Sequence, residues 1–162
     1  MQKRGTFEIS FSMMFSIILI VVFIALASYV IFKFVLPTKC SAESGLFFQD
    51  LRDYIKQAWQ SETHVDTFTG AGLPFSITYV CFGNLSQTPL REDRERFETI
   101  KSRNEKTKNV FLYPPEDVCG DSPASIKLEH VKTNNFFCVP VEKGKINIKT
   151  KGQIGQPVLI SK

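Results

Sequence analysis

Ile9 to Phe32 reads ISFSMMFSIILIVVFIALASYVIF and contains no charged residue. Glu8 precedes the run and Lys33 follows it. At about 1.5 Å per helical residue the run is roughly 36 Å long, enough to cross a ~30 Å hydrocarbon core with some tilt. A core helix of a globular domain would carry a polar stripe at the helical period, and here only Ser10, Ser12, Ser16 and Ser28 break the apolar run. A cleaved secretory signal has a shorter apolar region before a small-x-small site. Ala25-Leu26-Ala27 imitates such a site, but apolar residues continue to Leu36. The expectation is a retained transmembrane helix over residues 9–36. Residues 1–8 form its cytoplasmic tail, and 37–162 form one extracytoplasmic domain of ordinary size.

Orientation rests on two features. Lys3 and Arg4 stand before the span, which favours a cytoplasmic N-terminus at the cell membrane. All four cysteines, at 40, 81, 119 and 138, come after it. Their even number and wide spacing suit disulfides in an oxidising compartment and do not suit zinc, whose structural sites use close CxxC-like pairs. Cys81 and Cys138 fall in the two most apolar strand segments and are expected to pair. That leaves Cys40 with Cys119, one of three pairings that four cysteines allow. Asn84-Leu85-Ser86 is a glycosylation acceptor sequence, and Asn84 its candidate residue.

The rest of the 162-residue chain reads as α+β, with a packing helix and an antiparallel sheet of about five or six strands. Pro37 ends the span, and Ser41 caps a second helix from Ala42 to about Gln60. In that helix Phe47, Leu51, Tyr54, Ile55, Ala58 and Trp59 form one apolar face. Residues 61–74 read as a loop. Phe75 to Phe82 is the strongest strand, with Phe75, Ile77, Tyr79 and Cys81 on one side. A third helix follows from about Leu90 to Arg103, and its charges from Arg91 to Arg96 read as a solvated face. Further strands are expected at Val110–Tyr113, Ser125–Val131, Phe136–Val141, Ile146–Lys151 and Pro157–Ile160. A hairpin turn is expected at Glu142–Lys145.

Lys3-Arg4-Gly5, a short polar stretch, Glu8 and a long apolar helix resemble the class III signal of type IV pilins and their archaeal relatives. That resemblance implies cleavage after Gly5, a new terminus at Thr6, and a span that packs into a filament or anchors a head. Glu8 is then a charge at the membrane edge, met by that terminus in an assembly or by Lys3 or Arg4 in an uncleaved anchor. The whole chain also looks like small archaeal single-pass proteins with a basic start, one span, a YVCF-like strand (Tyr79–Phe82) and a late strand containing Phe137-Cys138. These imply an anchored extracytoplasmic domain.

Signatures of catalysis are missing from the sequence. There is no GxxxxGK[ST], no GxGxxG after a strand, no HExxH and no GxSxG. His64 and His130 are isolated in sequence. No catalytic, cofactor-binding or metal-binding residue is therefore assigned, and the chain is expected not to be an enzyme. The net charge of +4 is dispersed rather than gathered on one face, which argues against nucleic acid. The expected partners are membrane lipid and other membrane or surface subunits. The leading expectation is a surface-anchored structural or interaction protein, pilin-like in its signal. The alternatives are a solitary anchored binding module and, behind it, a membrane-bound enzyme.

Overall fold

The computed structural model describes residues 11–70, 72–103, 106–118 and 123–162. The expectations on Lys3, Arg4, Gly5, Thr6 and Glu8 lie outside them. So does the Cys40–Cys119 pairing, because Cys119 and the side chain of Cys40 are not described. The chain divides into two units, 1–38 and 39–162.

The first unit holds helix α1 (Phe11–Val30), followed by a π-helical turn over Ile31–Val35. Met13–Lys33 is long and apolar enough to cross a membrane, with a mean hydropathy of 2.9 and none of it buried by protein. At its polar end the Lys33 ammonium donates to the Tyr29 hydroxyl at 2.9 Å. The next helix, α2, runs over Leu36–Gln60 and starts earlier than the Ala42 expected from the sequence. Pro37 falls inside a helical run that continues from α1 through the π turn into α2, so it does not end the helix as expected. Ser41 is therefore inside the helix and is not its cap.

Among the described residues the second unit has eight strands: β1 (Thr63–Gly70), β2 (Tyr79–Phe82), β3 (Val110–Tyr113), β4 (Ser125–Ile126), β5 (Val131–Lys132), β6 (Phe137–Pro140), β7 (Ile146–Gln153) and β8 (Val158–Ser161). They form two four-stranded sheets, ordered β1-β7-β8-β5 and β4-β3-β2-β6. This corrects the single antiparallel sheet of five or six strands. It also corrects the all-antiparallel pairing, because β5 and β8 run parallel. The chain passes between the sheets at the predicted turn, where Lys143 and Gly144 both have positive φ and Glu142 and Lys145 exchange backbone hydrogen bonds. A Cβ on Gly144 would come within 3.0 Å of the Leu73 carbonyl oxygen, so glycine is needed there twice over.

The α2 face is as expected. Phe47, Leu51, Ile55 and Ala58 are buried, with Tyr54 and Trp59 half-buried against the same core. They meet Phe68 of β1, Ile146 and Ile148 of β7, Val158 and Ile160 of β8, and one face of the second sheet through Val80, Phe82, Leu112 and Val139. The other face of that sheet carries Cys81, Phe111 and Cys138. It is covered by Phe97 and Ile100 of helix α3 (Arg94–Ser102). Burial on both faces explains why β2, β3 and β6 read as continuous apolar runs. By contrast β7 alternates strictly, with Ile146, Ile148, Thr150 and Gly152 inward.

Three local expectations are corrected. Residues 63–70 form a strand, not a loop: β1 pairs with β7 along its full length, and its outward row is Thr63, Val65, Thr67 and Thr69. Phe75 is 99% exposed, because the strand begins only at Tyr79 and a turn closed by Ile77 N–H on the Pro74 carbonyl precedes it. The expected strand over Ser125–Val131 is two short strands in different sheets, β4 and β5.

Candidate functional site

The segment Lys127–His130 between β4 and β5 shapes one cleft of the second unit. The Asn109 carboxamide holds it: Leu128 N–H donates to Asn109 Oδ1 at 2.7 Å, and Asn109 Nδ2 donates to the Leu128 carbonyl at 2.9 Å. The pair of bonds imitates a neighbouring strand and drives the Leu128 side chain into the core, where it is 3% exposed. Two residues on, His130 adopts φ 60°, and its carbonyl accepts Val158 N–H at 2.7 Å. The left-handed turn lays the imidazole flat on the Trp59 indole, with ring centroids 3.9 Å apart and planes 9° from parallel.

The resulting cleft has a volume of about 410 Å³. Its floor is Ile55 and Leu128, and Trp59 and His130 line it as a stacked pair. Arg52, Lys56, Lys127 and Glu129 complete the lining, all four exposed. Three basic side chains thus face one carboxylate among the described residues. Among the described residues none of the three cations is ion-paired.

A second polar cluster joins α2 to the first sheet. Tyr54 Oη lies 2.8 Å from Thr150 Oγ1 and 3.0 Å from His64 Nε2, and Thr150 Oγ1 donates to the Asp66 carbonyl at 3.1 Å. Each hydroxyl has one proton, so the donors run in one direction. His64 Nε2–H donates to Tyr54, Tyr54 to Thr150, and Thr150 to the Asp66 backbone. Burial pushes the Tyr54 phenol above its ordinary pKa. The Thr150 hydrogen bond opposes this, and the Asp66 charge adds to the rise.

The other sequence candidates fall elsewhere. Cys81 and Cys138 form a disulfide between directly opposed residues of β2 and β6. Asn84 is exposed on a turn, and its side-chain oxygen accepts Ser86 N–H at 3.1 Å. His64 belongs to β1, not to a loop, and His130 to a turn, not to a strand. Among the described residues no group of three or more His, Cys, Asp or Glu is placed to hold a metal ion.

The cleft was not legible as a site, because its cations come from α2 and from a segment about seventy residues later. The one usable signal was Arg52, Lys56 and Trp59 at near-helical spacing on α2. No protein family, curated protein or solved structure matches this chain.

Proposed function

We propose that the protein is a membrane-anchored extracytoplasmic interaction protein, held by the Met13–Lys33 helix and presenting residues 39–162 outside the cytoplasm. The observation that carries this reading is that helix itself, apolar on every side and exposed along its length among the described residues. A helix apolar all round belongs in lipid or in a protein core. The Cys81–Cys138 disulfide favours an oxidising compartment for the head, and Lys3 and Arg4 favour the opposite side for the N-terminus. Protease added to intact cells should digest the head, and removing the outer barrier should not be needed beyond exposing other surface proteins. Full protection of the head in cells whose other surface proteins are cut would overturn the reading.

A second reading makes the protein a pilin-like subunit of a filament or envelope assembly. What supports it is an apolar, exposed helix followed in sequence by one whose apolar face lies on a sheet, together with the Lys3-Arg4-Gly5 signal. The mass of the native chain tests the processing step. A chain starting at Thr6 is expected, and one starting at Met1 removes this reading. Detergent sizing of wild type and Glu8→Gln tests the assembly: a larger wild-type species that Glu8→Gln reduces is expected.

A further inference from the structure

The cleft between α2 and Lys127–His130 has a charge and a shape that its structural role does not require. Arg52 and Lys56 stand four residues apart on α2, an arrangement in which like charges repel across one helical turn. Lys127 brings a third cation to the same rim, and among the described residues Glu129 is the one carboxylate that lines it. Counting three cations against one carboxylate leaves a formal +2 from the Arg, Lys and Glu side chains of the rim. An anion seated among the cations relieves that repulsion. Ile55 and Leu128, buried to 2% and 3% exposure, give the floor an apolar character that a bare inorganic ion does not use. The volume of about 410 Å³ falls within the range of small-ligand pockets. The Trp59–His130 stack adds a flat wall, pinned by the His130 carbonyl on Val158 N–H.

We propose that this cleft binds a small organic anion. Its carboxylate, phosphate or sulfate group is met by Arg52, Lys56 and Lys127, and its apolar or planar body lies over Ile55 and Leu128 against the Trp59–His130 pair. The charge selects the head group and the floor selects the body, so an amphipathic anion binds more tightly than either a bare anion or an amphipathic cation. The site deepens the interaction role proposed above, but its test does not depend on it: protease accessibility reads topology, and the cleft is read by Trp59.

Trp59 is the only tryptophan in the chain, so its emission reports on the cleft alone. Full-length protein in phosphatidylcholine nanodiscs with a tryptophan-free scaffold protein is titrated at constant ionic strength with hexanoate, inorganic phosphate and hexylammonium. Saturable change with hexanoate, at a Kd at least tenfold below that for phosphate and with no saturation by hexylammonium, is expected. The double variant Lys56→Gln/Lys127→Gln should raise the hexanoate Kd at least tenfold. Lys145→Gln, remote from the cleft lining, should leave it unchanged, and circular dichroism should show all three proteins equally folded. Equal response to hexylammonium, equal affinity for phosphate, or a hexanoate Kd indifferent to the double variant would each overturn the proposal. A response that appears only when phosphatidylglycerol is added to the nanodiscs would overturn the small-ligand assignment in favour of a lipid headgroup.

Discussion

The buried carboxylate of Asp93 accepts the backbone N–H of Cys138 at 2.9 Å. β6 is the edge of its sheet, and this bond closes part of an edge that would otherwise offer free N–H groups. Thr88 and Leu90 close more of it through hydrogen bonds with the backbone of Phe136. The second oxygen of Asp93 takes the Arg96 guanidinium at 3.0 Å, and that guanidinium lies 3.6 Å over the Tyr79 ring. Asp93 is 1% exposed, so both partners are needed to offset its desolvation. Asp93→Ala strands the Cys138 N–H and removes the partner of Arg96. It should destabilise the head by about 2–3 kcal/mol, while Glu95→Ala, on the exposed side of α3, should change it by less than about 0.5 kcal/mol. Urea unfolding of the full-length variants in detergent, followed by Trp59 emission, checks both. Equal effects would mean that the buried bond contributes nothing.

Asp93 also shows where sequence reading reached its limit. In Arg91–Arg96 it looks like one charge among six, and a charge run is usually a solvated face. Its burial depends on the edge of β6, more than forty residues later, which no local pattern encodes. The α2 face was legible because Phe47, Leu51, Ile55 and Ala58 repeat at the helical period within one element. Cys81 and Cys138 were legible because both lie in strands too apolar to be exposed. β1 was missed because only Phe68 and Gly70 are buried on it, although Thr63, Val65, Thr67 and Thr69 supply the β-branched alternation of a strand. The two-sheet arrangement was out of reach because pairing partners are set by long-range contacts: β5 joins β8 by a parallel pair that no hairpin turn announces.

Gly152 of β7 lies tight against α2. A Cβ there would lie 2.9 Å from the Ala58 carbonyl oxygen, a backbone atom that cannot move aside as a side-chain tip can. Gly152→Val should force the helix and strand apart and cost about 1–3 kcal/mol, the usual range for overpacking. Gly155→Ala offers a contrast, because a Cβ there has open space and only the positive φ of 73° opposes it. Its cost should stay near 1 kcal/mol. Thermal unfolding of the two variants should place Gly152→Val clearly lower.

Ser44 gives a change in the opposite direction. It is fully buried on α2, and its hydroxyl has no hydrogen-bond partner among the described residues. An unpartnered hydroxyl keeps its desolvation cost, and alanine is the better helix former. Ser44→Ala should therefore stabilise the head by about 1 kcal/mol, read as a higher urea midpoint at an unchanged slope. A lower midpoint would show that the hydroxyl is bonded in solution.

Tyr54 couples stability to alkaline pH. Its folded pKa lies above the unfolded one, chiefly through burial, so the neutral phenol is the form that the fold favours. A raised pKa contributes stability that is complete below the unfolded value of about 10 and is lost as pH rises through the folded value. The unfolded chain releases this proton first, and deprotonation then pulls the equilibrium toward unfolding. In the same range the Tyr54 oxygen can only accept, so Thr150 turns its proton onto it, which is why that bond opposes the rise, and the Asp66 carbonyl loses its donor. Tyr54→Phe removes the titrating group along with its hydrogen bonds. At pH 7 it should cost about 1 kcal/mol. In the interval above about pH 10 its thermal midpoint should fall less steeply than that of wild type. Parallel curves across that interval would show that Tyr54 titrates alike in the folded and unfolded chains.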